Sequence, residues 1–234
     1  MFQQRTTDVI TPARSEAINS FMRGVYLWMA VGLGVTAFFA YVTLNTPLGR
    51  IVFGTSSVYI GLLIAEVALV FVLSASIHKL SSFAATAMFL AYSALNGITM
   101  SALLLVYTSQ SVTTAFLSAA GMFGALSIYG MVTKRDLTGL GSFMAMGLFG
   151  IIIAMVINMF VGSSSLGLGI SILGVFIFLG LTAYDTQALR NMGETAPLDD
   201  ALAIRRGSII GALKLYLNFI NIFIMLLHII GDRR

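Results

Sequence analysis

The sequence predicts an all-α integral membrane protein, a bundle of seven transmembrane helices. Three observations predict it. Hydrophobic residues make up 58% of the 234 and charged residues only 9%, against roughly 25% charged in soluble globular chains. Mean hydropathy is +0.96. The apolar runs recur at about 20 residues each, the length a helix needs to cross the hydrocarbon of a bilayer. Lipid cannot satisfy a free backbone, and the strands of a membrane barrel would alternate in polarity, which these runs do not.

The elements follow in order. Residues 1–23 are polar, carry both signs of charge and lack the apolar stretch of a cleavable signal peptide. They read as a short, mobile cytoplasmic arm, and the first apolar run as a retained span. A single membrane domain, 24–234, then holds spans at 26–44, 58–76, 83–107, 112–132, 143–161, 166–189 and 209–230. Most connections are short, which suits antiparallel hairpins. Only 3 Pro are present, and the 23 Gly let helix backbones approach closely. The absence of Cys excludes disulfides and thiolate metal sites.

Lys and Arg set the orientation. With the N-terminus inside, the inner ends collect Arg5, Arg14, Arg23, Lys79, Lys134, Arg135, Arg190, Arg205 and Arg206, and the outer ends Arg50, Arg233 and Arg234. The expectation is a plasma-membrane protein with a cytoplasmic N-terminus and an external C-terminus. Arg233 and Arg234 run against that pattern; were the last segment re-entrant, six spans would remain. The net charge of +4 sits at segment ends, as topology signals do, and not on a nucleic-acid-binding face.

Glu66 and Asp185 are the only acids well inside the spans. Ionisable groups in a bilayer persist where they line an aqueous path or meet a partner. Asp185 is expected about one helical turn, roughly 6 Å, from the inner surface. There it either snorkels or pairs with His78, Lys79 or Lys134, or it is a gate, held by a base at a pore mouth and released by a proton or a cation. Glu66 lies mid-span and needs a partner, for which His228 near the outer end of the last span is the candidate. Asn96 and Asn158 read as interhelical hydrogen-bonding groups, worth about 0.6–2 kcal/mol each.

Other chemistries lack their parts. With 2 His, no Cys and no HExxH, a zinc site has no ligands. GxSxG and phosphate-loop motifs are absent. Tyr184-Asp185 matches half of an intramembrane aspartyl protease pattern, but no second acid or GxGD follows. Lys214 sits too near the inner end of its span to carry retinal. The expectation is a protein without enzymatic activity or cofactor.

Lys134-Arg135-Asp136-Leu137 at the start of the fifth span, Ala183-Tyr184-Asp185-Thr186-Gln187 late in the sixth, and the last-span segment from Leu215 through Tyr216, Asn218 and Asn221 to Phe223 resemble the Bax inhibitor-1 family (transmembrane BAX inhibitor motif proteins). The likeness runs over the whole chain from about Arg23, and the compact length resembles bacterial members. It implies six helices around a central C-terminal one, and a calcium leak modulated by pH. In the family two aspartates form a hydrogen-bonded sensor of protons and calcium, latched by a basic residue from the second helix. Asp185 matches the first aspartate. The second falls at Asn218, a departure. The latch falls near Ile77, beside His78 and Lys79. A family ion pair between the second and last helices maps onto Glu66 and His228.

The departure has consequences. Two touching carboxylates must share a proton, whereas an Asp–Asn pair carries one charge at most. The amide still bonds Asp185 and still offers an oxygen to a hard cation. The expected function is a pH-sensitive cation leak, with calcium as transported or regulatory ion, Asp185 as gate and weak calcium contact, and Asn218 as its partner. The alternative is a non-conducting adaptor that modulates other membrane proteins such as a membrane protease, with faces at Gly121, Gly124 and Gly130 for partner helices. A solute transporter would show paired broken helices, which the spans do not.

Overall fold

The computed structural model describes residues 12–76, 81–195 and 201–234. The helices are α1 (Pro12–Asn45), the short α2 (Leu48–Gly54), α3 (Ser56–Ser76), α4 (Ser82–Val106), α5 (Ser109–Val132), α6 (Thr138–Val161), α7 (Ser164–Thr195) and α8 (Ala201–Ile230). Seven are long and apolar enough to cross a membrane, all except α2. The expected seven spans are therefore present.

Several helices outrun their predicted spans. α1 begins at Pro12, so residues 12–23, expected in an arm, are helix. Their sequence explains it: Ile18, Phe21, Met22 and Val25 are spaced i, i+3, i+4, i+7 and all four are buried. Phe21 packs beside Gly193 of α7 and Gly207 of α8. Averaged hydropathy hides a stripe this narrow among charged neighbours. α7 likewise continues to Thr195, past the expected end at 189.

α8 packs on α1, α4, α5 and α7, while α3 is carried mainly on α4 and α6 on α7. In α8, 72% of the apolar crossing segment is buried inside the molecule, against 6% in α6. α8 also crosses completely. Its start lies at the α1 end, where Ser208 Oγ reaches the Phe21 carbonyl at 3.5 Å. Its far end is tied to the α4–α5 turn: Thr108 N donates to the Asp232 carbonyl at 3.1 Å and Arg234 N to the Val106 carbonyl at 2.9 Å. Asp232 N donates to Ser111 Oγ at 2.9 Å. The start of α1 and the chain's last residues thus lie at opposite ends of the bundle, which excludes the re-entrant alternative.

The α6–α7 turn closes at Gly162, whose φ of +66° suits glycine. Asn158 belongs to this turn, accepting from Ser163 N at 3.1 Å. It caps the turn and does not bridge helices as expected.

The segment 183–190 of α7 is held from several sides. α5 meets it so closely at Gly130 that a Cβ there would strike the Ala183 carbonyl. Ser127 Oγ and Thr186 Oγ1 pair at 3.4 Å, and Arg190 Nη1 donates to the Met131 carbonyl at 2.9 Å. Tyr184 lies against Gly141 of α6. Gln187 spans the α5–α6 loop, donating to the Arg135 carbonyl at 2.7 Å and accepting from Leu137 N at 2.9 Å. In the same loop Asp136 accepts from the side chain and backbone of Thr138, which hold its carboxyl below the usual range. Two motifs far apart in sequence are therefore one structural joint.

Gly130→Val should lower stability by about 1–3 kcal/mol, because backbone lies in the way of the new side chain. Thermal unfolding in detergent reads this, and Gly124→Val, with open space around the added atoms, should leave the midpoint unmoved. Gln187→Ala should remove two hydrogen bonds worth about 1 kcal/mol each; faster exchange of the Leu137 amide hydrogen would register it.

Candidate functional site

Because α3 rests mainly on α4 and α6 on α7, α3 and α6 make no substantial contact with each other. A cavity of ≈ 620 Å³ lies in the gap, walled by α3, α4, α6, α7 and α8. Its lining is mostly apolar, yet it collects both intramembrane acids, Glu66 and Asp185, together with Lys214, Asn218 and Asn221.

On α8 the polar lining residues are spaced i, i+4, i+7 from Lys214, with Leu217 and Met225 completing one face. On α7, Phe178, Leu181 and Asp185 follow i, i+3, i+7. The helical period alone thus brings Asp185 and Asn218 to one wall. Asn218 Nδ2 donates to Asp185 Oδ2 at 2.8 Å. Asn218 is buried and Asp185 half-buried, and Asp185 Oδ1 takes no hydrogen bond among the described residues. Asn221 donates within its own helix to the Leu217 carbonyl at 2.8 Å. The Asp185–Asn218 contact expected from the sequence is present.

The expected Glu66–His228 pair is not formed. Glu66 accepts from Asn96 Nδ2 and, at 3.0 Å, from Thr99 Oγ1, both on α4. Tyr216 OH donates to Asn96 Oδ1 at 3.1 Å and pairs with Thr36 Oγ1 at 2.7 Å. One polar thread therefore joins α3, α4, α8 and α1. His228 lies twelve residues beyond Tyr216, about 18 Å along the helix, exposed and beside Gly167 of α7. The reason is depth: Glu66 sits mid-helix and His228 in the last turn of α8. Asn96 does bridge helices, as expected.

His78 and Lys79, the candidate latch, lie outside the described residues. The base that the structure does place by Asp185 is Lys214. It lines the same cavity and lies within electrostatic reach of the carboxylate. It makes no direct ion pair there; the one salt bridge among the described residues is Arg190–Glu194. In the sequence, Lys214 is weighed only against a retinal role and not as a neighbour of Asp185. Its i, i+4 spacing to Asn218 was the available signal.

Chemically the site offers one carboxylate and two amide oxygens to a hard cation, one ammonium to an anion, and a greasy wall to both. Among the described residues no group of three His, Cys, Asp or Glu is arranged to hold a metal ion.

Comparison with known proteins agrees with the fold. The profile of the family described as "Inhibitor of apoptosis-promoting Bax1" matches residues 18–234. The chain is 47% identical to the inner membrane protein YbhL of Escherichia coli over 98% of both chains. It is 46% identical to a protein of Deinococcus radiodurans, over 100% of this chain and 96% of the other. A membrane protein of Streptococcus pyogenes is 39% identical over 95% and 97%. A seven-span bundle, the two joined motifs and a family match over nearly the whole length place this chain in the Bax inhibitor-1 family.

Proposed function

We propose that the protein is a pH-sensitive cation leak of the bacterial inner membrane, with calcium as its principal ion, no catalytic activity and a cytoplasmic N-terminus. Asp185 is the gate carboxylate and Asn218 its partner. The observation that carries this reading is the Asn218–Asp185 bond on the wall of a cavity that also holds a cation, Lys214. A carboxylate with one oxygen bonded and one uncommitted can exchange an internal contact for a proton or a metal ion. Lys214, on the wall of the same cavity, supplies a positive charge near that exchange. The inner-membrane label of the Escherichia coli relative supports the location.

Asn218 weakens calcium binding relative to a pair of carboxylates, because Ca²⁺ affinity follows the charge of its oxygen ligands. The outward face of α5, where Gly121 and Gly124 meet nothing, favours the second reading, a non-conducting adaptor for other membrane proteins.

Purified protein in liposomes should admit Ca²⁺ above the rate of empty vesicles, with a rate that changes between about pH 5 and pH 8. Asp185→Asn should remove that pH dependence. Asn218→Asp should lower the calcium concentration for half-response roughly tenfold, by adding a second negative ligand. Flux indifferent to Asp185→Asn would take Asp185 out of the gate, and no flux at any pH would leave the adaptor reading.

A further inference from the structure

The cavity between α3 and α6 opens sideways. Val67 of α3 and Ile152 of α6 line it and are 57% and 48% exposed on the outer surface of the bundle. Its mouth therefore faces acyl chains, and a lipid can enter it from the bilayer. Its volume of ≈ 620 Å³ falls in the range of about 300–1,000 Å³ typical of small-molecule sites.

The polar groups in it are ordered by depth. The end of the bundle that carries Lys134, Arg135 and Arg190 is also the end from which α8 starts. Lys214 lies one turn, about 6 Å, nearer that end than Asn218. Asp185 is level with Asn218, to which it is bonded, and Asn221 lies nearly a turn deeper. The rest of the lining is apolar, with Met225, Val67 and Ile152 among it, apart from Tyr92 and Glu66, whose carboxylate already accepts from Asn96 and Thr99. From the basic end inward, the order is one cation, a hydrogen-bond acceptor with amides, then a mainly apolar slot.

That order is the order of parts in a single-chain glycerophospholipid. We propose that the cavity binds one, a lysophospholipid. Its phosphate meets Lys214, which has no direct ion pair among the described residues. Its free glycerol hydroxyl donates to the uncommitted oxygen of Asp185. The second amide hydrogens of Asn218 and Asn221 reach its ester carbonyl. Its one acyl chain lies between α3 and α6. A diacyl lipid lacks the hydroxyl. A fatty acid brings its own carboxylate against Asp185 in place of a donor.

The test is binding to the delipidated full-length protein in detergent by native mass spectrometry, a readout independent of ion flux. The probes are palmitoyl lysophosphatidic acid, its 2-O-methyl ether, dipalmitoyl phosphatidic acid and palmitate. The lysolipid should bind roughly tenfold more tightly than each of the other three, the loss expected when one hydrogen bond to a charged group is removed. Lys214→Gln should weaken it by a similar factor, and Ile152→Trp, which fills the slot from an exposed position, should displace it. Unchanged unfolding temperatures confirm that both variants are folded. Equal binding of the lysolipid and its methyl ether, of one chain and two, or of the wild type and Lys214→Gln overturns the proposal.

Discussion

In hydrocarbon no water stands ready to satisfy a polar group, so each one that enters the bundle must find its partner in the protein. The fold obeys this closely: among the described residues no buried side-chain nitrogen or oxygen lacks a hydrogen bond. Two acids in the spans could break the rule, and each is answered by a different device. Glu66 is bound by α4 and threaded through Tyr216 to α1. Asp185 is bound by one amide of α8 and left with an oxygen to spare. The first arrangement is closed and locks four helices. The second is open to the cavity.

Position follows from the same logic. α5, the α5–α6 loop and α6 grip α7 at Gly130, Thr186, Gln187, Arg190 and Tyr184. These contacts fix the rotation of α7 and so direct Asp185 to α8. α3 and α6 rest mainly on α4 and α7 and not on each other, which leaves the gap that becomes the cavity. A rigid joint on one side and a loose seam on the other give a carboxylate that is well placed and still reachable.

Much of this is legible in the chain. Apolar run length gives seven crossings, and the family resemblance points to the Asp185–Asn218 contact. The failures have physical causes. The first turns of α1 escaped because four apolar residues in a polar stretch do not move an average, although their spacing does reveal a buried face. Matching charge to charge points Glu66 to His228, whereas the adjacent helix answers it with two neutral donors. A partner for Lys214 cannot be read from α8 alone, because the group it faces comes from α7. The role of Gln187 in joining two motifs needs a contact across fifty residues, which no local pattern carries.

The bond between Asp185 and Asn218 underlies the proposed gate, the cavity wall and the proposed ligand site. A double-mutant cycle tests it most directly, with Asp185→Leu, Asn218→Leu and the double variant compared by reversible unfolding in lipid. Bonded side chains predict a coupling of about 0.6–2 kcal/mol, with the double variant losing less than the sum of the singles. Strict additivity would show that the two residues do not act as a pair.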